Sequence, residues 1–207
     1  LLSDGTNTRF IAGERADDFT LSAEAAVQQI RAHQPNLVVL CSPNNPTGTG
    51  LPLSVVEAVY EAMAEHNGIT IVDEAYAEFA QDPNQTALTL LNGRPLLVVS
   101  RTMSKAFALA GARLGYFAAA PALADAVRLV RLPYHLSAVT QATALAALRH
   151  RQQLLQNVDD IRAQRDRIVA VLKDFGLSPA ESDSNFIFFG GLRNEKEAWE
   201  ALLADGI

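Results

Sequence analysis

A single cysteine, Cys41, stands in 207 residues, which excludes an internal disulfide and any metal centre built on several thiolates. Histidine is nearly as scarce. His33, His66, His135 and His150 never fall in H-x-x-x-H or H-E-x-x-H spacing, so a histidine-built zinc site has no support and no metal is expected. No apolar run reaches the ~18 residues that a membrane-spanning helix needs. The basic n-region of a secretory signal is missing too, so no membrane association is expected and the expected location is cytoplasmic. Positive charge is in the minority: 17 Lys and Arg against 23 Asp and Glu give a formal charge of −6. That sign offers no sequence-independent grip on nucleic acid. Internal repeats and low-complexity tracts are absent. The chain begins at Leu1 rather than at a methionine, directly in apolar sequence, which points to a fragment or a processed chain.

What is present is the composition of a globular protein, 49% hydrophobic and 19% charged. Residues 36–41 form a short apolar run that stops at the turn cluster Ser42-Pro43-Asn44-Asn45-Pro46-Thr47-Gly48. Such a run reads as a buried strand ending in a loop. Val55, Val56, Val59, Tyr60 and Met63 recur at helical spacing and predict an amphipathic helix over 52–66, closed by Asn67-Gly68. Residues 69–72 and 96–99 are further buried-type strands, and 116–120 reads as another. Strand–helix–strand order with buried strands predicts an α/β fold: a mostly parallel sheet with helices on both faces. Helical periods then cover 121–132 and 137–172, followed by a strand at 185–189 and a helix at 195–205. The change of character predicts a large domain over 1–165 and the start of a small α+β domain over 166–207. Cys41 closes the first strand, where a buried structural thiol with no catalytic part is expected.

In open α/β sheets ligands bind beyond the carboxyl ends of the strands. The first strand is followed by Asn45, the second by Asp73 and Tyr76, the third by Ser100, Thr102, Ser104 and Lys105, with Arg113 beyond. Taken singly, each has an ordinary reading. Lys105 would be a solvated lysine, Asp73 a helix cap and Tyr76 a packed aromatic with a wet hydroxyl. Asn45 would be a turn residue, and Arg113 a surface or ion-pair residue. Taken together they bring one acid, one phenol, one amine, one guanidinium, hydroxyls and one amide to a single crevice. A lysine so placed is also suited to form a Schiff base.

The stretches Ser42-Pro43-Asn44-Asn45-Pro46-Thr47-Gly48, Asp73-Glu74-Ala75-Tyr76 and Thr102-Met103-Ser104-Lys105, with Arg113 eight residues on, together resemble the fold-type I pyridoxal-phosphate aminotransferases of class I/II. Their order and spacing, 28 residues from Asn45 to Asp73 and 32 from Asp73 to Lys105, make the set specific where each piece alone is weak. Residues 101–111 and Leu132-Pro133-Tyr134-His135-Leu136-Ser137 are most similar to the histidinol-phosphate branch of that family. The resemblance covers essentially the whole chain.

The resemblance implies a cofactor, pyridoxal 5'-phosphate, and a role for each residue. Lys105 would hold the cofactor covalently and shuttle a proton. Asp73 would pair with the pyridine nitrogen, which lets the ring accept electrons. Tyr76 and Asn45 would hydrogen-bond the ring's phenolic oxygen, and Thr102, Ser104 and Arg113 would hold the phosphate. Lys105, Asp73 and Tyr76 are thus the implied catalytic set. The implied reaction is transamination of histidinol phosphate with 2-oxoglutarate and glutamate in histidine biosynthesis, with amino-acid and 2-oxo-acid substrates and a homodimer as the assembly. An aromatic amino acid aminotransferase shares every cofactor residue. A non-catalytic aminotransferase-like module and an inert fragment are the other readings. The family's glycine-containing N-terminal loop and its substrate-carboxylate arginine are not found; Arg193 sits too early for that role. An exposed apolar sheet edge is expected to follow.

Overall fold

The computed structural model describes residues 8–207; the apolar start at Leu1 lies outside them. The first helix, α1 (Ala23–His33), begins where the Ser22 side chain accepts a hydrogen bond from the Ala25 amide. Glu24 in its first turn and Arg31 and His33 in its last suit the helix dipole. Sequence periodicity did not flag this helix, because only Ile30 is buried and only Ala26 and Val27 join it against the core. Strand β1 (Leu37–Cys41) follows, then α2 (Leu53–Ala64), whose buried residues include Val55, Val56, Val59, Tyr60 and Met63 as the helical period requires. Asn67 takes up the left-handed conformation at φ 60° and ends the segment.

Strands β2 (Ile69–Asp73), β3 (Leu97–Thr102) and β4 (Gly115–Ala119) complete a sheet of order β1-β2-β3-β4. The first three run parallel, while β4 is antiparallel to β3. A parallel return needs a crossover of a dozen or more residues, usually a helix. The β3–β4 connection instead holds a loop and one 3₁₀ turn, Ala110–Ala112. Leu40, Val72, Leu97 and Val99 on one face of the sheet join Ile30, Val56, Val59 and Met63 in the main core. Alternation puts Leu37 and Val39 on the other face, where they are 49% and 59% exposed. The two helices packed on this core, α1 and α2, share one face of the sheet.

The second half departs from the sequence reading in two places. After α3 (Pro121–Val130), the helical stretch expected over 137–172 is two helices, α4 (Ala138–Arg149) and α5 (Arg151–Asp174). His150, at φ −102° and ψ 17°, breaks the chain between them; one non-helical residue leaves the apolar period almost undisturbed. The strand expected over 185–189 shrinks to β6 (Phe189–Gly190), paired antiparallel with β5 (Ser178–Pro179). The hydroxyls of Ser182 and Ser184 both donate to the Phe186 carbonyl, at 2.6 and 3.1 Å. Local side-chain bonds of this kind take the place of a ladder. Helix α6 (Glu195–Ala204) is capped by the Asn194 side chain.

Helix α5 runs unbroken across positions 165 and 166. Arg165 is 4% exposed and donates from Nη1 to the carbonyls of Phe79 and Ser184, each at 3.0 Å. One buried guanidinium therefore ties the helix, the turn after β2 and the segment before β6 together. Met63, fully buried between α2 and the sheet, tests the main core. Met63→Ala should lower unfolding free energy by about 2–5 kcal/mol, read as a shift of the urea midpoint at unchanged slope.

Candidate active site

The site residues stand where the three parallel strands end. Cys41, Asp73 and Ser100 occupy one level across β1, β2 and β3. The Ser100 hydroxyl donates to Asp73 Oδ1 at 3.1 Å. Asp73 is half-buried. Beyond β1 the Asn-Asn-Pro-Thr-Gly loop closes on itself: the Gly48 amide donates to the Asn44 carbonyl at 2.7 Å, and Asn44 Nδ2 donates to Thr47 Oγ1 at 2.8 Å. Gly48 sits at φ +81°, and a Cβ there would lie 2.5 Å from Ser182 Oγ. Only glycine allows both that conformation and that approach. The loop thereby presents Asn45 outward.

Tyr76 is the meeting point of the site. It is buried, its hydroxyl accepts from Asn45 Nδ2 at 3.2 Å, and its ring meets the edge of Phe186 at a centroid distance of 5.2 Å. Lys105 Nζ lies 5.5 Å from the same ring's centroid, within cation–π range. Lys105 is itself exposed, but Met103, Ala106 and Phe107 around it are buried. These anchors fix a loop in which the Ala108 amide donates to the Lys105 carbonyl at 2.9 Å. Thr102 Oγ1 lies 3.0 Å from Ser104 Oγ and accepts from the Ser104 amide at 3.1 Å.

The structure thus brings Asn45, Tyr76 and Lys105 into one chain of contacts, sets Asp73 against Ser100, and pairs Thr102 with Ser104. Arg113 stands apart. It is exposed, at φ 52°, and its Nη1 donates to the Ala110 carbonyl of its own turn at 3.2 Å. Ser100 stands among the strand-end residues of the sequence without a role of its own; its strand face, shared with Thr102, could have signalled its bond to Asp73. One neighbour escaped the sequence reading. Phe186 comes from a distant segment, and no spacing signals its contact with Tyr76.

The donor set matches the chemistry of a phosphorylated, hydroxylated pyridine. A carboxylate suits a ring N–H, a phenol and an amide suit a ring oxygen, and an amine suits a carbonyl. Two hydroxyls and a guanidinium suit a dianion.

Cys41 corrects one expectation. It is only partly buried, because alternation turns it to the open face of the sheet with Leu37 and Val39. Its thiol is nonetheless pushed above the ordinary value, first by desolvation and then by the nearby Asp73 charge, against the Asn45 backbone hydrogen bond and Arg15. A raised thiol pKa means less thiolate at a given pH. Cys41 should therefore react with iodoacetamide at pH 8 several-fold more slowly than free cysteine; equal rates would contradict this environment.

The sequence profile described as "Aminotransferase class I and II" matches residues 2–207. The chain is 64% identical over 207 residues to the histidinol-phosphate aminotransferase of Paenarthrobacter aurescens, covering all of this chain and 56% of that protein. It is 52% identical over 208 residues to that of Streptomyces avermitilis, again covering 56% of the relative. The chain spans about half the length of the curated relatives it matches. Among solved structures, histidinol-phosphate aminotransferase from Sinorhizobium meliloti in complex with pyridoxal-5'-phosphate superposes with a TM-score of 0.83 at 31% identity. That match covers 95% of this chain and 54% of the other. The enzyme from Clostridium acetobutylicum, at 21% identity and a TM-score of 0.86, shares the fold.

Proposed function

Since the chain belongs to the class I and II aminotransferases, we propose that it carries the cofactor half of a pyridoxal-phosphate-dependent enzyme. We propose further that the full-length protein transaminates histidinol phosphate with 2-oxoglutarate and glutamate. The observation that carries this reading is the convergence of Asn45 and Lys105, from two separate segments, on Tyr76, which follows the strand-end carboxylate Asp73 by three residues. Relatives named histidinol-phosphate aminotransferase, at identities up to 64%, support the substrate assignment.

Pyridoxal phosphate, when bound, supplies a carbonyl that condenses with amines and a protonated ring that accepts electrons from the substrate carbon. The chain's own residues do the rest. Lys105 Nζ would hold the group covalently and would serve as the base that moves the proton of the reacting carbon. Its ammonium rests over the Tyr76 ring, which holds it at the site before it is used. Asp73, oriented by the Ser100 hydroxyl, would pair with the ring N–H. Asn45 fixes the direction of the Tyr76 hydroxyl, so two donors can address one ring oxygen. Thr102 and Ser104 would offer hydroxyls to the phosphate, and Arg113, bonded to its own turn and standing apart from them, would offer a guanidinium. A homodimer in the cytoplasm belongs to the same proposal.

The test uses the full-length protein incubated with pyridoxal phosphate, reduced with borohydride and digested. The cofactor mass should appear on the peptide containing Lys105. Lys105→Ala should lose that mass and several powers of ten in turnover. Asp73→Asn should keep the attachment and lose roughly 100-fold or more in turnover. Attachment at another lysine, or an Asp73→Asn enzyme of parental rate, would remove these assignments. Faster amino transfer from phenylalanine or tyrosine than from histidinol phosphate would move the substrate to the aromatic class.

A further inference from the structure

Directly behind the site, on the opposite face of the sheet, lies a buried cluster of charges that none of the proposed chemistry uses. Arg101 follows Ser100 and precedes Thr102; Glu74 follows Asp73; Glu78 lies two residues past Tyr76. Arg101 donates to Glu74 Oε2 from Nε at 3.0 Å and from Nη2 at 2.7 Å, and to Glu78 Oε1 from Nη1 at 3.2 Å. Glu74 also accepts from the Ala87 amide at 2.6 Å and from the Thr86 hydroxyl at 2.7 Å. The three side chains are 13%, 3% and 13% exposed. Buried charges of this kind are seldom the cheapest way to stabilise a fold, since apolar groups of similar volume do as well or better. What such a cluster does provide is fixed geometry: a planar fork meets two carboxylates at set angles.

The positions of those carboxylates and of the guanidinium give the cluster its meaning. Each charged residue is a near neighbour in sequence of a candidate cofactor contact; alternation sends Arg101 and Glu74 to the face opposite Thr102 and Asp73, and the 3₁₀ turn Ala77–Phe79 after Tyr76 brings Glu78 to Arg101. We propose that Arg101, through Glu74 and Glu78, is a positioning residue that fixes Asp73 and Tyr76 relative to Thr102 and so shapes the seat for pyridoxal phosphate. The inference rests on the reading of that site given above. Without the fork, the two strand ends would be held in register by backbone bonds such as Glu74 N–H to the Ser100 carbonyl, at 2.9 Å, and by the single Ser100 hydroxyl bond to Asp73. The electrostatics agree with a locked cluster. Burial alone would lower the Arg101 pKa, yet Glu74 and Glu78 hold it above its usual value.

A double-mutant cycle on the full-length protein tests this, with the pyridoxal-phosphate dissociation constant measured by equilibrium dialysis. Arg101→Lys keeps the charge and loses the fork; Glu74→Gln keeps the shape and loses the charge. With Asp73 intact, each should weaken cofactor binding about ten-fold, as expected for coupled neighbours. In an Asp73→Asn background the same changes should weaken it less than about three-fold, because the carboxylate they position is gone. If Glu74→Gln does not fold, the cycle with Glu78→Gln decides in its place. Equal losses in both backgrounds, or unchanged affinity in proteins of normal thermal midpoint, would overturn the proposal. An unsubstituted protein that takes up no pyridoxal phosphate would overturn the reading of the site along with it.

Discussion

The alternation of side chains along β2 and β3 is the constraint on which the rest of the site depends. Successive residues of a strand must point to opposite faces. At the ends of these two strands both faces are polar. Asp73, Ser100 and Thr102 share one face, and Glu74 and Arg101 the other. The first set is hydrogen-bonded at 3.1 Å through Ser100, and the second is ion-paired at 2.7 Å. A one-residue slip of either strand would exchange the sets, placing a buried ion pair in the open and the strand-end carboxylate in the core. The core thus enforces the register: Val72, Leu97 and Val99 are essentially inaccessible on the helix-covered face, and only one pairing keeps them there.

Tyr76 transmits that order to the rest of the chain. It follows β2 by three residues, yet its contacts come from the loop after β1, the loop after β3 and the segment before β6. Beneath it, Phe79, Met103, Phe107 and Val158 form a second apolar cluster. The exposed Lys105 is therefore carried on a rigid base, with its neighbours buried and its own side chain free to reach a ligand. Gly48 and Arg165 close the arrangement. The Gly48 carbonyl accepts from the Asp183 amide at 2.8 Å, and Arg165 Nη1 bridges the carbonyls of Phe79 and Ser184.

Much of this was legible in the sequence, for a physical reason. Buried strands read as apolar runs, and the polar residues that end them are both the loop signal and the site. Strands β1, β2 and β3 and helix α2 were found by these signals, as were the residues at the strand ends. Helix α1 escaped because Val27 and Ile30 are the only large apolar residues it turns to the core, too few to mark a helical period. The break at His150 escaped because one residue scarcely shifts a helical period. The direction of β4 depends on the length and shape of the connection, which apolar runs do not record. The shortened β6 reflects hydroxyls competing for a carbonyl, a contest that residue type alone does not decide. Phe186 and Arg165 were invisible for a different reason: their partners are distant in sequence and chosen by packing.

The same logic separates the residues proposed to bind from those proposed to position. Asp73, Tyr76 and Lys105 stood out because their chemistry is unusual at a strand end. Glu74 and Arg101 sit beside them in the same motifs but face the other way, so a motif read as a string merges two functions that the pleat divides. Removing Asp73 would subtract a proposed contact to the ligand. Removing Arg101 would leave every proposed contact in the chain and loosen the geometry between them, while stranding two buried carboxylates without their cation. The first loss belongs to binding chemistry and the second to preorganisation. Two such losses cannot be independent when one acts through the other. Coupling between them, more than the size of either, is the signature of a site built on both faces of one sheet.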